Sequence, residues 1–424
     1  MFLKLALNTA FRGNVTNMKK VPSFFDEIDP NKRLWKNEAA SIQHLDTSGL
    51  HTLLWDLNTD DKIPKLTWWW WWWLFFIKNE KEPEKTKQLM ILWSTKECDE
   101  IFVNDHLWKK KEEIRRKSKG KDGQVLTFGG MVAVWYYDGE KMLDPFFLKE
   151  CDFELVQEQG RGYLLPKLEK DYSFRGENDK FVVNIKGGEI DFSFELTPWN
   201  RFLSTPRYSK RNYFGSYGYE ILKLYGMKMR GNLDLRWKKE KISGSAYFQK
   251  VTVNAPTVPW YWGVLHTERG DYLDYFMPHL GLGMFRRSEK PRSYLDRCEI
   301  PLSKNLQFYD AERDELFRFH KLRIKKEFDR QNLPIFHIKA KSRSGQRGEG
   351  EISLSLRSYS RAYWRFEQKY LKLFRAILYY NEYPVVLEDF EFRWKFEDGS
   401  SHRLRREDLG YVTGNSEHAW GKLL

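Results

Sequence analysis

Six consecutive tryptophans, Trp68 to Trp73, are the most prominent chemical feature of this sequence. In a β-strand successive side chains point to opposite faces, so Trp68, Trp70 and Trp72 line one face while their neighbours line the other. Rings of this size on both faces need cover on both sides, from a barrel interior and from a second layer. We expect core packing on one face and ligand contact on the other, because apolar cavities are the usual ligand sites.

A second aromatic cluster follows a proline-bounded loop in the second half of the chain. Trp260 and Trp262 share one face of a predicted strand, and His266 lies in register with them. Together with Tyr247 and Phe248, one hairpin earlier, these rings form either a continuous aromatic wall or the core of a second barrel. A lone histidine on such a face is more often a structural residue than a catalyst. We retain Trp260, Trp262 and His266 as candidate ligand-binding residues.

The common catalytic signatures are missing from the sequence. Neither Gly187-Gly188 nor Gly281-Leu282-Gly283 has the lysine and hydroxyl residue, or the strand-to-helix context, of a phosphate-binding loop. There is no Gly-x-Ser-x-Gly or His-Glu-x-x-His motif, and the nine histidines are scattered. Cys98, Cys151 and Cys298 lack the paired spacing of a zinc site or a disulfide framework. We therefore expect no metal, no cofactor and a reducing, cytoplasmic compartment.

Short strands separated by polar turns must position these residues. Aromatic residues make up 17% of the chain, and such rings favour pleated, half-buried strands. Asp138-Gly139 between apolar runs is a hairpin signal, and residues 190–196 alternate between apolar and polar. Residues 361–380 fit either one face of a helix or a long bent strand. The pattern as a whole predicts an all-β protein.

A chain of 424 residues suits two domains. Turn-forming residues cluster at 197–216, and we place the boundary near residue 210. We expect an entry segment over residues 1–60 that packs on the first barrel, a first barrel over residues 61–210, and a second over residues 211–424. The longest apolar stretch, Trp68 to Ile77, is half the length that spans a bilayer, and the N-terminal apolar run is too short for a signal peptide.

Two motifs resemble those of one known superfamily. Leu66-Thr67-Trp68-Trp69-Trp70-Trp71, which leads into a strand, a polar turn and a second strand, resembles the Glu-Trp-Trp-Tyr opening of the carotenoid 1,2-hydratase and tocopherol cyclase-like superfamily. Residues 242–250, with Pro259-Trp260-Tyr261-Trp262, resemble its Gly-x-Ala-aromatic motif and the tryptophan-rich strand that follows. The likeness spans most of residues 64–424 and includes Arg211 to Gly215, Asn381-Glu382-Tyr383, Asp398-Gly399 and Asn415-Ser416-Glu417.

The resemblance implies two consecutive lipocalin-like (calycin) antiparallel β-barrels with few short helices, and a hydrophobic isoprenoid or lipid-like ligand. Hydratase-like members carry Asp-His where this chain has Gln249-Lys250, which is nearer the Glu-Lys of cyclase-like members. A glutamine cannot protonate an alkene, and a lysine holds its proton too tightly unless it is buried. The motif itself therefore supplies no acid for a hydratase.

Any catalysis implied by the resemblance is acid-initiated hydration, cyclisation or isomerisation of a carbon–carbon double bond. Such a reaction needs a carboxylic acid kept protonated by an apolar pocket, and aromatic faces that stabilise a carbocation. The candidate acids are Glu220, Asp234 and Glu268, and the candidate polar positioning residues are Tyr247, Gln249 and Lys250. The leading hypothesis is a binder or modifier of an apolar small molecule, held within or between the barrels, and whether it is an enzyme is left open.

The net charge of +13 favours a second class of function. The densest basic cluster, residues 109–121, is interrupted by Glu112 and Glu113 and indicates a solvated loop or a short exposed helix more than a docking site. The alternative is a basic, aromatic β-protein that binds nucleic acid or an anionic membrane surface. It is less favoured because the tryptophans lie in runs too apolar for an exposed platform. We expect a hydrophobic small-molecule partner and no nucleic acid, with peripheral membrane contact left open.

Overall fold

The computed structural model describes residues 52–110, 113–118, 123–168, 170–235, 238–255, 258–281, 299–342, 348–370 and 374–423. The chain divides into Met1–Asp46 and Thr47–Leu424, and the first of these units lies outside the described residues. Most of the predicted entry segment, residues 282–283 of the glycine motif, and Cys298 also lie outside them. No helix in the described ranges is both long enough and apolar enough to span a bilayer.

Strands make up most of the described chain, as the aromatic composition predicts. In chain order they are β1 (Trp68–Ile77), β2 (Lys87–Lys96), β3 (Glu100–Val103), β4 (His106–Lys109), β5 (Arg115–Ser118), β6 (Gln124–Tyr137), β7 (Met142–Glu158), β8 (Arg161–Pro166), β9 (Tyr172–Glu177), β10 (Lys180–Lys186), β11 (Ile190–Pro198), β12 (Arg207–Phe214), β13 (Tyr217–Leu235), β14 (Lys238–Asn254), β15 (Trp260–Thr267), β16 (Tyr272–Gly281), β17 (Glu299–Pro301), β18 (Asn305–Asp310), β19 (Glu315–Phe319), β20 (Arg323–Phe328), β21 (Pro334–Lys341), β22 (Gly348–Ser358), β23 (Ala362–Tyr370), β24 (Phe374–Phe396), β25 (Ser401–Arg405) and β26 (Val412–Leu423). The helical elements include α1 (Arg201–Ser204) and a 3-10 turn at Arg406–Leu409.

The first sheet closes into a barrel of ten antiparallel strands. Its order is β13-β14-β1-β2-β6-β7-β8-β9-β10-β11, and β11 pairs back onto β13. β12 and β5 extend this sheet outside the closed ring. The predicted alternation over residues 190–196 is present, because Phe192, Phe194 and Leu196 point into the barrel core between exposed or half-buried neighbours.

The second sheet is built mainly from the strands after residue 259. Its order is β19-β18-β16-β15-β26-β24-β22-β21-β20, with β3 and β4 of the first half attached through β23. One apolar core packs against this sheet. It includes residues from both end strands, Phe317 of β19 and Ile324 of β20. The predicted all-β fold is confirmed, and this second sheet, curved around one core, is consistent with the second predicted barrel.

β14 of the first sheet ends at Asn254 and β15 of the second sheet begins at Trp260, so the chain around residue 210 pairs within the first sheet. β12, β13 and β14, which cover residues 207–254, all pair within the first sheet. The turn-forming residues at 197–206 carry α1 and connect β11 to β12 inside that sheet. Proline, glycine and asparagine mark any chain reversal, so they do not by themselves distinguish a connection within one sheet from a linker between two.

Several local expectations are met and one alternative is wrong. Asp138-Gly139 and Asp398-Gly399 join β6 to β7 and β24 to β25, with the glycines at φ values of +106° and +86°. Residues 362–370 form β23, so the helical alternative for this region is wrong. In the basic cluster, Lys109 ends β4 and Arg115–Ser118 forms the fully exposed strand β5, so these residues belong to solvent-exposed strand.

Three apolar regions result from this arrangement. One is the interior of the first barrel, and a second is the core of the second sheet. The third, here called the inter-sheet layer, contains Trp72, Tyr247, Trp262, Tyr272 and Trp364 and is formed by the facing sides of the two sheets. Because β1 and β14 belong to the closed barrel, each of them contributes one face to the barrel interior and the other to the inter-sheet layer.

Candidate functional site

The tryptophans of β1 divide between two environments. Trp69, Trp71 and Trp73 are fully buried in the interior of the first barrel. Trp72 is buried in the inter-sheet layer, and Trp68 and Trp70 are half-buried against it. Both faces of the strand are therefore covered, as the sequence predicts, and the half-buried rings lie only on the face that meets the second sheet.

Residues 53–58 fill the mouth of the first barrel. The indole nitrogens of Trp71 and Trp69 donate to the carbonyl oxygens of Leu54 and Asn58 at 2.9 and 3.1 Å. The ring of Trp55 packs where Gly162 leaves space, since a Cβ there would lie 2.1 Å from the indole. The barrel interior is thus largely filled by rings of the protein itself.

Lys250 faces a cavity of about 240 Å³ that remains at this mouth. It is the register partner of Trp71, so it points into the barrel, and its Nζ donates to the carbonyl oxygen of Leu53 at 2.5 Å. Burial lowers the pKa of Lys250 to about 8, an effect that the charges of Asp56 and Glu220 partly offset. The predicted positioning residue is therefore a buried amine of weakened basicity.

Gln249 points the opposite way from Lys250, into the inter-sheet layer. It accepts a hydrogen bond from the Tyr247 hydroxyl at 3.2 Å and lies in register with Trp72. Beside it, Lys223 Nζ lies 2.8 Å from Asp274 Oδ2 of the second sheet. Burial is the largest single influence on the pKa of Lys223 and lowers it, but Asp274 together with Tyr247 and Tyr225 raises that pKa on balance. An ion pair thus bridges the two sheets at the predicted motif.

His266 is a neutral, hydrogen-bonded internal residue. Its Nδ1 accepts from the Ser245 hydroxyl at 2.9 Å, and its Nε2 donates to the Tyr225 carbonyl oxygen at 2.7 Å. Burial lowers the pKa of His266 to about 4, and its backbone partner offsets only part of this shift. Both ring nitrogens are therefore occupied by protein partners.

Trp260 and Trp262, the candidate ligand-binding rings of β15, both face the inter-sheet layer. The Trp262 ring centroid lies 5.2 Å from that of Tyr247, as an aromatic wall would require, and 5.3 Å from that of Trp72. Trp262 Nε1 is buried without a hydrogen-bond partner among the described residues. It is a donor that a bound molecule could use.

Two buried carboxyl groups lie in the inter-sheet layer beside these rings. Glu382 of β24 and Glu417 of β26 are register partners with exposed fractions of 0% and 2%. Tyr380 and Asn415 donate to Glu382, and Trp260 Nε1 donates to Glu417. Burial raises the pKa of Glu382 to about 7, and burial together with the charge of Glu382 raises the pKa of Glu417. Two such groups in contact hold a proton at neutral pH.

A row of half-buried rings connects this carboxyl pair with the tryptophans of β1. The Trp68 and Phe366 centroids lie 5.7 Å apart, those of Phe366 and Tyr380 6.4 Å, and those of Tyr380 and Trp260 6.0 Å. All four side chains are partly exposed and pack against the inter-sheet layer. This aromatic row, Trp68, Phe366, Tyr380 and Trp260, has the Glu382–Glu417 pair at one end.

None of the three acids predicted from the sequence is buried beside a second carboxyl group at the aromatic row. Glu268 is exposed in the turn after β15, and Asp234 is half-buried with Lys239 at 3.1 Å. Glu220 lies at the barrel mouth, where it accepts from Asn58 at 2.8 Å and pairs with Lys210 at 2.7 Å. The structure does not bring these three together with Tyr247 and Gln249.

Sequence reasoning missed the two buried acids, although a signal for them exists. Between positions 378 and 386 Glu382 is the lone Asp, Glu, Lys or Arg, and between positions 411 and 421 Glu417 is. A single carboxyl group inside a run without other formal charges is costly to bury, so such a position marks a functional or hydrogen-bonded acid.

One group of side chains has the composition of a metal site. Ligand atoms of His279, Glu299 and His418 lie within 4.8 Å of one another. Lys326 Nζ, however, lies 2.5 Å from His418 Nδ1, so a protein cation already contacts this group. We assign no metal to these residues.

Comparison with known proteins gives loose structural likenesses. No protein-family model and no curated protein matches the chain. Among solved structures, an AttH protein of Nitrosomonas europaea is similar at 10% identity and a TM-score of 0.44, over 86% of this chain and 96% of that one. Kievitone hydratase of Nectria haematococca is similar at 11% identity and a TM-score of 0.33, over 86% and 93%. The all-β fold is established by the strand pairings themselves.

Proposed function

We propose that the protein binds an apolar, unsaturated small molecule of isoprenoid or lipid-like character along the aromatic row, and protonates one of its double bonds. The proton comes from the Glu382–Glu417 pair. The observation that carries this proposal is the pair itself, two carboxyl groups buried face to face at the end of a row of half-buried rings. A carboxylic acid kept neutral by burial is the group that acid-initiated alkene chemistry requires.

The donors around the pair determine how it holds its proton. Two buried carboxylates in contact repel each other, so one proton is retained between them. The Tyr380 hydroxyl and Asn415 amide stabilise charge on Glu382, and the Trp260 indole does so on Glu417. After proton transfer, the resulting carboxylates are still hydrogen-bonded, which limits the free-energy cost of the charged state.

The reaction begins when the double bond takes the shared proton. The π electrons form a carbon–hydrogen bond, the carboxyl oxygen keeps its electron pair, and the adjacent carbon becomes a cation. The faces of Trp260 and Tyr380 stabilise that cation. Attack by water, attack by a second double bond, or loss of a neighbouring proton then gives hydration, cyclisation or isomerisation, and the proton released returns to the pair.

The location of the rings favours the inter-sheet layer over the first barrel as the ligand site. The barrel interior is filled by Trp55, Trp69, Trp71 and Trp73, and the cavity at its mouth is polar at its rim. In contrast, Trp68 and Trp70 are partly exposed on the inter-sheet face. Trp262 Nε1 adds a hydrogen-bond donor there for an oxygen atom of a ligand or of attacking water.

The test is transfer of solvent hydrogen to carbon. The full-length protein is incubated in D2O with geranylgeraniol, a linear polyprenol, and carbon-bound deuterium is measured by mass spectrometry. Deuterium is expected in the polyprenol whichever of the three products forms. Glu417→Gln should reduce its incorporation at least a hundredfold, because the amide keeps the hydrogen bond to Trp260 but cannot transfer a proton.

The matched control is Glu388→Gln, which changes an exposed glutamate of β24 in the same way and should retain wild-type incorporation. Binding is followed separately by quenching of tryptophan fluorescence with all-trans-retinol, where Trp68→Ala should weaken the complex about tenfold. If retinol binds but no deuterium is transferred, the protein binds lipid without the proposed proton transfer. Equal incorporation by wild type and Glu417→Gln would disprove the role of the pair.

A further inference from the structure

The cavity at the mouth of the first barrel is separate from the inter-sheet layer. Its volume of about 240 Å³ is below the usual range of pockets for drug-sized ligands, so it suits a small molecule. Lys250 faces it, whereas the adjacent Gln249 faces the other side of β14. The cavity is lined by residues 53 and 56–60 together with Arg116, Tyr208, Glu220, Leu222, Lys250 and Thr252.

The amine of Lys250 is held differently from that of Lys223, an ion-paired lysine of the same sheet. Lys223 Nζ is 2.8 Å from the Asp274 carboxylate. Lys250 Nζ instead donates to a backbone carbonyl, that of Leu53, and no carboxylate of the described residues lies within ion-pair distance of it. A buried lysine that faces a cavity and has no paired carboxylate is the arrangement found where the amine acts as a nucleophile.

We propose that this cavity is a second ligand site, in which Lys250 captures a small aldehyde or ketone as an imine. The Nζ lone pair attacks the carbonyl carbon, and the carbonyl oxygen takes up protons and departs as water. One carbon–nitrogen double bond replaces the carbon–oxygen double bond, so no oxidant or reductant is needed. Tyr208 and Glu220 line the same cavity and can relay the protons that leave nitrogen and reach oxygen.

The ionisation of Lys250 agrees with this chemistry. Because burial lowers its pKa to about 8, roughly half of the amine is neutral at pH 8, against about 0.4% for an ordinary lysine. The nearby charges of Asp56 and Glu220 favour the protonated form. Neutralising either acid should therefore increase the neutral fraction further.

The experiment uses the full-length protein and butanal as probe. Butanal is added below one equivalent per lysine with cyanoborohydride, which reduces any imine to a stable secondary amine. Peptide mass spectrometry then gives the rate of butylation at each lysine between pH 6 and pH 10. Lys250 should be labelled at least tenfold faster than Lys223 at pH 8, with a midpoint near pH 8, and Glu220→Gln should shift that midpoint downward.

Controls distinguish this site from nonspecific alkylation and from the proposed double-bond chemistry. Exposed lysines such as Lys339 should show labelling that still rises above pH 9, and Lys250→Met should remove only the Lys250 adduct. Glu417→Gln should leave Lys250 labelling unchanged, so either proposal can fail without the other. Labelling of Lys250 no faster than that of Lys223 throughout the pH range would overturn the assignment.

Discussion

The interior of the first barrel and the inter-sheet layer share strands of the first sheet but contain different chemistry. In β1, the odd-numbered tryptophans enter the barrel and the even-numbered ones enter the layer. The barrel core is almost wholly apolar. The layer holds an ion pair, a carboxyl pair and half-buried rings, represented by Asp274, Glu382 and Trp68. Stability is therefore concentrated on one face of the strand and candidate function on the other.

This difference follows from the cost of burying polar groups. A barrel interior is sealed by its own hydrogen-bonded wall, so a charge placed there has few partners. Two sheets that pack face to face bring acids, bases and rings from different strands into contact. Polar groups can be satisfied in the layer, as Lys223 and Asp274 are, and acidic pairs can be held there at unusual pKa values.

The largest expected effect is the loss of a barrel ring. Trp73→Ala should lower the free energy of unfolding by about 3–5 kcal/mol, because its buried indole packs against Phe75, Phe174 and Phe248. The half-buried Trp70→Ala should cost under about 2 kcal/mol. Urea denaturation measures both variants, and equal losses would remove the distinction between the two faces.

Breaking the ion pair between the sheets should lower the free energy of unfolding by a similar amount, but a second substitution should recover the loss. Lys223→Met should cost about 3–5 kcal/mol, because it leaves the Asp274 carboxylate buried without its partner. Adding Asp274→Leu should recover most of that loss, as both charges are then removed. If the double variant is as unstable as Lys223→Met in chemical denaturation, the instability of Lys223→Met does not come from the unpaired Asp274 carboxylate.

A smaller effect is expected from a methyl group beneath the ring of Trp55. Gly162→Ala places a Cβ 2.1 Å from that indole and should cost about 1–3 kcal/mol through overpacking. In a Trp55→Ala background the same substitution should be nearly neutral, because the space is then free. If the stability losses of Gly162→Ala and Trp55→Ala are additive in thermal unfolding, Trp55 does not fill the barrel mouth at Gly162.

The subtlest prediction concerns the pH dependence of stability. The folded Glu382–Glu417 pair has raised pKa values, so above about pH 4.5 it binds more protons than the unfolded chain. The free energy of unfolding should therefore fall as pH rises from 4.5 through 7 and above. Glu417→Gln should flatten this slope, whereas Glu388→Gln should retain it. Parallel slopes for all three proteins in urea titrations would show that the pair holds no extra proton.

The fold was largely predictable, and the site only in part. Alternating residues 190–196 and the Asp-Gly turns predicted the strands, because side-chain period and turn chemistry are local properties. The contact of Trp72 with Trp262 was not predicted, because it depends on how the two sheets face each other. The change of sheet between β14 and β15 was not predicted either, because turn residues look alike whichever sheet follows. Glu382 and Glu417, 35 positions apart in the sequence, meet only through strand pairing.

By itself, the sequence determined the class of structure: aromatic alternation and spaced turns require strands, and a run of six tryptophans requires cover on both faces. The tertiary structure alone decided which face of β1 meets which partner, because that depends on the register of β1 against β14. The same register sends Gln249 into the inter-sheet layer and Lys250 into the barrel mouth. Adjacent residues in the sequence thus line different sites, since successive side chains of a strand point in opposite directions.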